Sequence, residues 1–148
     1  MTSELTDAEI EALLCEEGVG FLAVTDGAEA YSIPESFGYD SERERLYFQF
    51  VYASDSKKMA FLETTETATL TVYSENPARS VLVSGTVEPI TEDEQPRAAS
   101  AIAENASIPT LNVNPRANPD DITMAYYRLL PNEISGRKFQ APTSSSDQ

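Results

Sequence analysis

The first residues of the chain carry the spacing of a short amphipathic helix. Apolar side chains recur at intervals of three and four between positions 10 and 14, which places them on one helical face. Thr6 and Glu9 stand just before them in the order of a capping box, where each side chain accepts a bond from the other residue's amide. The pattern predicts a helix over residues 7–17, ended by the glycines that follow.

The pattern then changes to the alternation and aromatic content of β-strands. We predict strands over residues 20–25, 30–39 and 45–52, with the pair Asp26-Gly27 forming a hairpin turn between the first two. Pro34 lies inside the second stretch. Because proline has no amide proton, we expect that position at a sheet edge or a bulge.

A short helix and further strands follow. Ser54 or Ser56 can cap a helix that continues through Lys57 and Lys58, and Thr91 and Glu94 form a second capping box that predicts a helix to about residue 104. The remaining predictions are strands over 67–74, 80–90, 122–130 and 133–139, a polar loop over 105–121 and a disordered tail over 141–148.

Together these elements predict one domain over residues 1–140. The fold class is mainly β with added helices, namely a barrel of six or seven antiparallel strands with two or three flanking helices.

The charge narrows the function classes. The chain has 10 Lys+Arg against 25 Asp+Glu, a net charge of −15. This charge argues against nucleic acid and anionic membranes as partners, since both would repel it. The acids are spread along the whole sequence, which favours the solvated surface of a protein from a salt-rich cytoplasm over an ordinary acidic protein. No apolar run is long enough to span a bilayer, and the acidic N-terminus does not resemble a signal peptide, so we expect a cytoplasmic location.

The chain contains no His and one Cys. This composition excludes Ser-His-Asp hydrolysis, His-ligated zinc or haem, and catalysis by a His base, and we expect no metal site.

The scarce cations stand at strand ends and turns. Lys57 and Lys58 open a predicted helix beside Ser56, and a helix N-terminus with hydroxyl and ammonium groups is suited to phosphate. Arg79 and the pair Arg137-Lys138 complete half of the ten cations. Two lysines at a helix start are also common as a solvated pair, but their position in this chain favours a convergent anion site.

The ordered series GVGFLAVTDG, YSIPESFGYD, RLYFQFVYASDSKKMAFLE, ATLTVYS and RSVLVSGTVEPI resembles the flavoproteins related to pyridoxamine 5′-phosphate oxidase, most closely a small archaeal branch of unknown substrate. The resemblance covers about residues 5 to 104 and extends to EISGRKF near the end. It implies an FMN-binding split barrel that forms a homodimer with the cofactor at the interface. The absence of His departs from relatives that hold a substrate phosphate with Arg and His, which argues against pyridoxamine phosphate as the substrate.

Carried over by position, the resemblance assigns three groups of cofactor contacts. The flavin ring would lie against one strand and be flanked by a second strand. The phosphate would be held by Ser56, Lys57 and Lys58. Arg79 and Ser80 would approach the cofactor from either subunit, with Arg137 and Lys138 as weaker candidates. The strand residues are Ser32, Ile33, Pro34, Glu35, Ser36 and Phe37 in the first strand and Gln49, Phe50, Val51 and Tyr52 in the second.

Several functions remain open from the sequence. The leading one is an FMN-dependent oxidoreductase acting on an unidentified small molecule, with no residue assigned as acid or base. The alternatives are a non-enzymatic flavin carrier or redox sensor, a reductase using the deazaflavin F420, and a barrel without cofactor. Glu35 is either a surface acid or a contact of the ring or substrate, and Tyr126 and Tyr127 either stack on a flavin or pack in a core.

Overall fold

The computed structural model describes residues 2–105 and 122–139, which form one curled antiparallel sheet with three helices. The loop predicted beyond residue 105 and the tail over 141–148 lie outside the described residues. The strands are β1 (Thr2–Glu4), β2 (Val19–Thr25), β3 (Ala30–Ser36), β4 (Gly38–Asp40), β5 (Arg45–Tyr52), β6 (Ala68–Glu75), β7 (Ala78–Pro89) and β8 (Thr123–Phe139). The helices are α1 (Asp7–Glu16), α2 (Lys57–Thr64) and α3 (Gln95–Asn105), with a 3-10 turn at Glu92–Glu94.

The strand order makes the sheet curl back on itself. It runs β3-β2-β6-β7-β8-β5-β4, with β1 added to β8. Because Phe37 alone separates β3 from β4, one chain segment borders both ends of this order. The antiparallel split barrel predicted from the sequence is therefore confirmed, as is the position of Pro34 on an edge strand.

The barrel is open along one seam, which we define as the gap between β3 and the part of β5 beyond Tyr47. β4 pairs with β5 only over Arg45–Tyr47, and β3 pairs with β2 alone among the described strands. Helix α2 follows β5 directly and packs at this seam. Thr64 and Thr65 at its end bond the backbone of Thr25 on β2, which fixes the helix to the barrel.

The core fills the barrel interior. Inward-facing residues alternate with outward-facing ones along the strands, as the twofold period of a strand requires. The fully buried side chains include Leu13, Leu14, Leu22, Phe37, Leu46, Phe48, Phe50, Leu70, Val72, Val81 and Leu129. At about 25 cal/mol per Å² of apolar surface removed from water, this cluster is the main source of stability. None of the described helices is long and apolar enough to cross a membrane.

The two predicted capping boxes have different outcomes. Thr6 and Glu9 form both bonds of the motif, at 3.1 Å and 2.8 Å, so the start of α1 is confirmed. The capping box at Thr91 is wrong, because the Thr91 side chain caps no amide and bonds Asp93 instead. The Glu94 side chain points into a buried cluster of ion pairs, and a 3-10 turn precedes α3.

Two strand boundaries also differ from the sequence prediction. The stretch 30–39 is divided at Phe37, and the two strands predicted over 122–130 and 133–139 are one strand, β8. β7 pairs with β8 over residues 127–139 and absorbs the change of register with a bulge beside Gly85. A side chain at Gly85 would lie 2.0 Å from the Leu130 carbonyl oxygen, so this close approach of two backbones requires glycine.

Candidate functional site at the start of helix α2

The start of α2 presents free hydrogen-bond donors. Ser56 is the N-cap, and its hydroxyl accepts a bond of 3.2 Å from the amide of Met59. The amides of Lys57 and Lys58 donate to no other described residue. The first turn of α2 therefore offers two unsatisfied N–H groups and the positive end of the helix dipole, the donor set that binds anions in proteins.

Lys57 lies at the surface of this end. Its ammonium nitrogen sits 4.9 Å from the centre of the Tyr31 ring and 3.9 Å from a carboxylate oxygen of Glu29. Both partners of this ion pair are more than half exposed, so the contact holds Lys57 weakly. Lys57 is thus available to a ligand at the helix start.

Lys58 points into the protein. Its ammonium nitrogen lies 2.7 Å from Oε2 of Glu35 and 4.6 Å from the centre of the Phe50 ring. Lys58 is 4% exposed and Glu35 is 2% exposed. Because Glu35 belongs to β3 and Lys58 to α2, the pair bridges the seam. The alternative of Glu35 as a surface acid is therefore wrong.

The ring contacts expected on β3 and β5 fall on two faces of the sheet. Neighbouring residues of a strand point to opposite sides. Ile33 and Glu35 face inward on β3, and Phe50 and Tyr52 face inward on β5. The others lie on the outer face, namely Ser32, Pro34 and Ser36 on β3 and Gln49 and Val51 on β5. One side of the sheet therefore cannot present all of them to a single ligand.

The other cations expected at the anion site do not lie near Lys57 and Lys58. Arg79 contacts Glu16 of α1 at 3.5 Å and the Ser74 hydroxyl at 3.2 Å, whereas Ser80 lies on the opposite face of β7. Arg137 pairs with Glu4 at 3.8 Å and Lys138 with Glu9 at 2.9 Å. Each of the five cations expected at the anion site thus has its own acidic partner, and within one described chain they do not converge.

A cleft opens beside the start of α2, at the mouth of the barrel. Its volume is about 520 Å³, within the range of small-molecule sites. Tyr52 and Ser56 line it, as do residues that the sequence did not assign to a cofactor. The full lining is Tyr52, Ser54, Ser56, Met59, Ala60, Leu62, Glu63, Val87, Pro89 and Tyr127.

The wall of the cleft contains both aromatic and polar side chains. Tyr127 packs against Phe50 with ring centres 5.0 Å apart, which confirms a core contact for it. The pKa of the Tyr127 phenol is raised by burial first, and then by Tyr52 and the charge of Glu63. Tyr127 therefore stays a neutral hydrogen-bond donor at the mouth of the barrel. The sequence pointed to Tyr127 but missed the part of this wall that β7 supplies, Val87 and Pro89, because β7 meets α2 only through the barrel closure.

Comparison with known proteins gives one family and one fold. A family model described as pyridoxamine 5′-phosphate oxidase matches residues 6–138. No curated protein matched the chain.

Solved structures with the same fold carry different names. A FAD-binding protein from Mesorhizobium loti has a TM-score of 0.68 and 18% identity, covering 95% of this chain and 99% of that chain. The FAD-binding protein from Mycobacterium smegmatis has a TM-score of 0.66 and 18% identity, covering 95% and 100%. A heme-binding protein from Mycobacterium smegmatis has a TM-score of 0.63 and 14% identity, covering 88% of this chain and 53% of that chain. At these identities the likeness shows the fold alone.

Proposed function

The chain belongs to the pyridoxamine 5′-phosphate oxidase family, and from that membership we propose that it binds a flavin, specifically FMN, at the start of α2. The observation that carries the proposal is the juxtaposition of free donors and a cleft. The Lys57 and Lys58 amides directly follow Ser56, which lines a cleft of about 520 Å³ together with Tyr52 and Ser54. The exposed Lys57 ammonium belongs to the same helix turn and lies beside Tyr31 and Glu29.

These residues fit the two ends of FMN. The phosphate would be held by the two amides, the Ser54 hydroxyl and Lys57, which suits a dianion in a chain of net charge −15. The ring would be held by Tyr52, Met59 and Tyr127, which supply apolar surface around a few polar groups. Ser32, Pro34 and Ser36 lie on the outer face of β3, away from this cleft, and would contact only a cofactor bound to a second subunit.

We propose that the protein is an oxidoreductase acting on a small molecule, with a non-enzymatic flavin carrier as the second candidate. A bound flavin supplies hydride or electron transfer. The role of the protein is to bind the cofactor, to orient it and to exclude water from it. Relatives by fold are named as FAD-binding and as heme-binding proteins. FMN is favoured over haem because the chain contains no His, the most common axial ligand.

We further propose a homodimer, because one outer face of the sheet is apolar and uncovered. Phe21, Tyr73 and Leu82, here called the outer row, are 53%, 51% and 44% exposed. They lie on the same face of β2, β6 and β7, since Phe21 and Leu82 both pair with Thr71, and Tyr73 is two residues further along β6. A second copy would bury this surface and bring Ser80 and Arg137 of the same face toward its neighbour.

The test is a flavin titration in molar KCl, with FMN, FAD and riboflavin as ligands. We expect FMN to bind more tightly than riboflavin, because riboflavin lacks the phosphate. Lys57→Ala should weaken FMN binding by about tenfold and leave riboflavin binding unchanged. Lys138→Ala, a cation paired with Glu9 on α1, is the matched control and should change neither. Equal affinity for FMN and riboflavin would contradict the phosphate site, and preferential binding of FAD would replace FMN by FAD.

A further inference from the structure

The cleft at the mouth of the barrel carries one formal charge among the described side chains that line it. That charge is the carboxylate of Glu63, in the last turn of α2. The other lining residues are neutral and include Tyr52 and Tyr127. A cleft lined by charge of one sign concentrates ligands of the opposite sign, so this lining favours a cation over an anion.

The two lysines of α2 do not offset this charge. The Lys57 ammonium lies 4.9 Å from the centre of the Tyr31 ring, and the Lys58 ammonium lies 2.7 Å from an oxygen of Glu35. Neither lysine lines the cleft. The charge of Glu63 therefore sets the sign of the potential at its end of the cleft.

The polar groups around Glu63 are available to a ligand. Within residues 2–105 and 122–139, the side chains of Glu63, Tyr52 and Tyr127 form no hydrogen bond or ion pair with another residue. The pKa of the Tyr127 phenol is raised by burial first, and then by Tyr52 and the Glu63 carboxylate, so the carboxylate lies within electrostatic range of this phenol. A carboxylate and two phenol oxygens thus border one cleft as acceptors for a hydrogen-bond donor.

The end of α2 fixes the position of Glu63. The hydroxyls of the next two residues, Thr64 and Thr65, donate to the carbonyl oxygen of Thr25 at 2.9 Å and 3.0 Å. The last turn of a helix also carries the negative end of its dipole, which adds to the charge of Glu63. From Ser56 to Glu63 the rise of 1.5 Å per residue gives a separation of about 10 Å. The cleft therefore has anion donors at one end and a cation acceptor at the other.

We propose that the Glu63 end of the cleft binds the cationic group of the substrate, and that the substrate is an organic amine with an apolar or aromatic body. This inference rests on the proposed function, in which Tyr52, Met59 and Tyr127 hold the flavin ring. The ammonium group donates to the carboxylate of Glu63 and to the phenol oxygen of Tyr127, and the apolar body lies against the ring. Tyrosine side chains favour such organic cations, whereas a phosphorylated or carboxylated substrate is repelled.

The test compares three probes of similar size and different charge, namely benzylamine, benzyl alcohol and benzoate. Equilibrium dialysis in molar KCl gives their affinities for the flavin-free and the FMN-loaded protein. At this salt concentration the Debye length is about 3 Å, so the general attraction of a chain of net charge −15 for cations is screened and direct contacts remain. We expect benzylamine to bind about tenfold more tightly than benzyl alcohol, and benzoate to bind most weakly.

Two variants assign the preference to a residue. Glu63→Gln removes the charge and keeps the size of the side chain, so it should lower the affinity for benzylamine about tenfold and leave that for benzyl alcohol unchanged. Glu66→Gln is the matched control. It makes the same change in net charge at an exposed acid that follows α2 and does not line the cleft, and it should keep the wild-type affinities.

The outcomes separate the substrate class from the proposed function. Equal affinities for the three probes, or a preference for benzylamine that Glu63→Gln retains, overturn the inference and leave FMN binding in place. An equal loss in Glu66→Gln overturns it too, because the preference then belongs to the surface charge as a whole. Displacement of benzylamine by FMN overturns it as well, since substrate and ring must occupy the cleft together. If FMN does not bind to wild type, the proposed function is overturned, and Glu63→Gln in the flavin-free protein decides the cation site alone.

Discussion

At the scale of single residues, Glu94 differs most from its predicted role, since the sequence places it in a capping box and the structure places it in a buried cluster of ion pairs. Its carboxylate accepts bonds from the Tyr47 hydroxyl at 2.6 Å, from Arg45 at 2.8 Å and from Arg128 at 2.5 Å. Burial alone raises the pKa of Glu94, but these donors and the charge of Arg128 outweigh it and hold the pKa below its usual value. Glu94 thus fixes the start of α3 to β5 and β8 as a charged group.

This cluster predicts a dependence of stability on pH. We expect Glu94→Gln to lower the free energy of unfolding by about 2 kcal/mol at neutral pH, since a buried charged acceptor is replaced by a neutral one. Because the pKa of Glu94 is lowered in the folded state, its contribution is present above the unfolded value of about 4.3 and is lost as the pH falls through the folded value.

Chemical denaturation at a series of pH values checks this. The curves of wild type and Glu94→Gln should approach one another in acid. Glu92→Gln, an exposed acid in the same 3-10 turn, is the control and should stay close to wild type throughout. A constant gap between wild type and Glu94→Gln across the acid range would contradict the role given to the charge.

At the scale of elements, α3 depends on a glycine in β4. A side chain at Gly38 would lie 2.4 Å from the backbone carbonyl carbon of Ala101 and 2.5 Å from the amide nitrogen of Ile102. Backbone atoms of a helix cannot yield locally, so α3 would have to move away from β4. The helix and the strand are therefore in contact through their main chains.

We expect Gly38→Ala to destabilise the protein by about 3 kcal/mol, through overpacking of the interface with α3. Gly27→Ala is the matched control. At Gly27 a side chain meets nothing within 4 Å, but the φ angle of 97° is strained for alanine, so a loss of about 1 kcal/mol is expected. Thermal unfolding of both variants provides the comparison. A smaller loss at Gly38 than at Gly27 would mean that α3 is not held against β4 in solution.

The helix caps at Thr6 and Ser56 could be predicted from the sequence, whereas the Thr91 cap and the strand limits that depend on distant partners could not. The cap of α1 and the cap of α2 at Ser56 each need only residues within three positions, and both are confirmed. The division at Phe37 and the continuity of β8 depend on partners far along the chain. The short strand β1 was missed for the same reason, because three residues gain strand structure only by pairing with the end of β8.

At the scale of the whole molecule, the candidate site was predicted in its parts but not in its assembly. The sequence identified Ser56, Lys57 and Lys58 as the start of a helix, and the structure places them there. It did not indicate that Lys58 would turn inward, because the partner Glu35 is 23 residues away. The chain has 25 acidic residues, and each of the five cations expected at the anion site forms an ion pair with one of them. The number of cations in the sequence could not predict these separate pairs.

The same acidity should control assembly. Two copies joined through the outer row each carry a net charge of −15, so their repulsion opposes the dimer unless salt screens it. We therefore expect light scattering to give twice the chain mass of 16.2 kDa in molar KCl, and a mass falling toward that of one chain as the salt is diluted.

Leu82→Lys, in the middle of the outer row, should give the single-chain mass even in molar KCl, because it places a charge in the buried interface. Met124→Lys adds the same charge at another exposed apolar position, on the part of β8 that pairs with β5, and should remain dimeric. A single-chain mass for wild type in molar KCl would contradict the dimer, and dissociation by Met124→Lys but not by Leu82→Lys would move the interface from the outer row to the β5–β8 side. Because the repulsion acts between whole subunits and the apolar contact acts at one face, the salt series and the two variants test the two contributions separately.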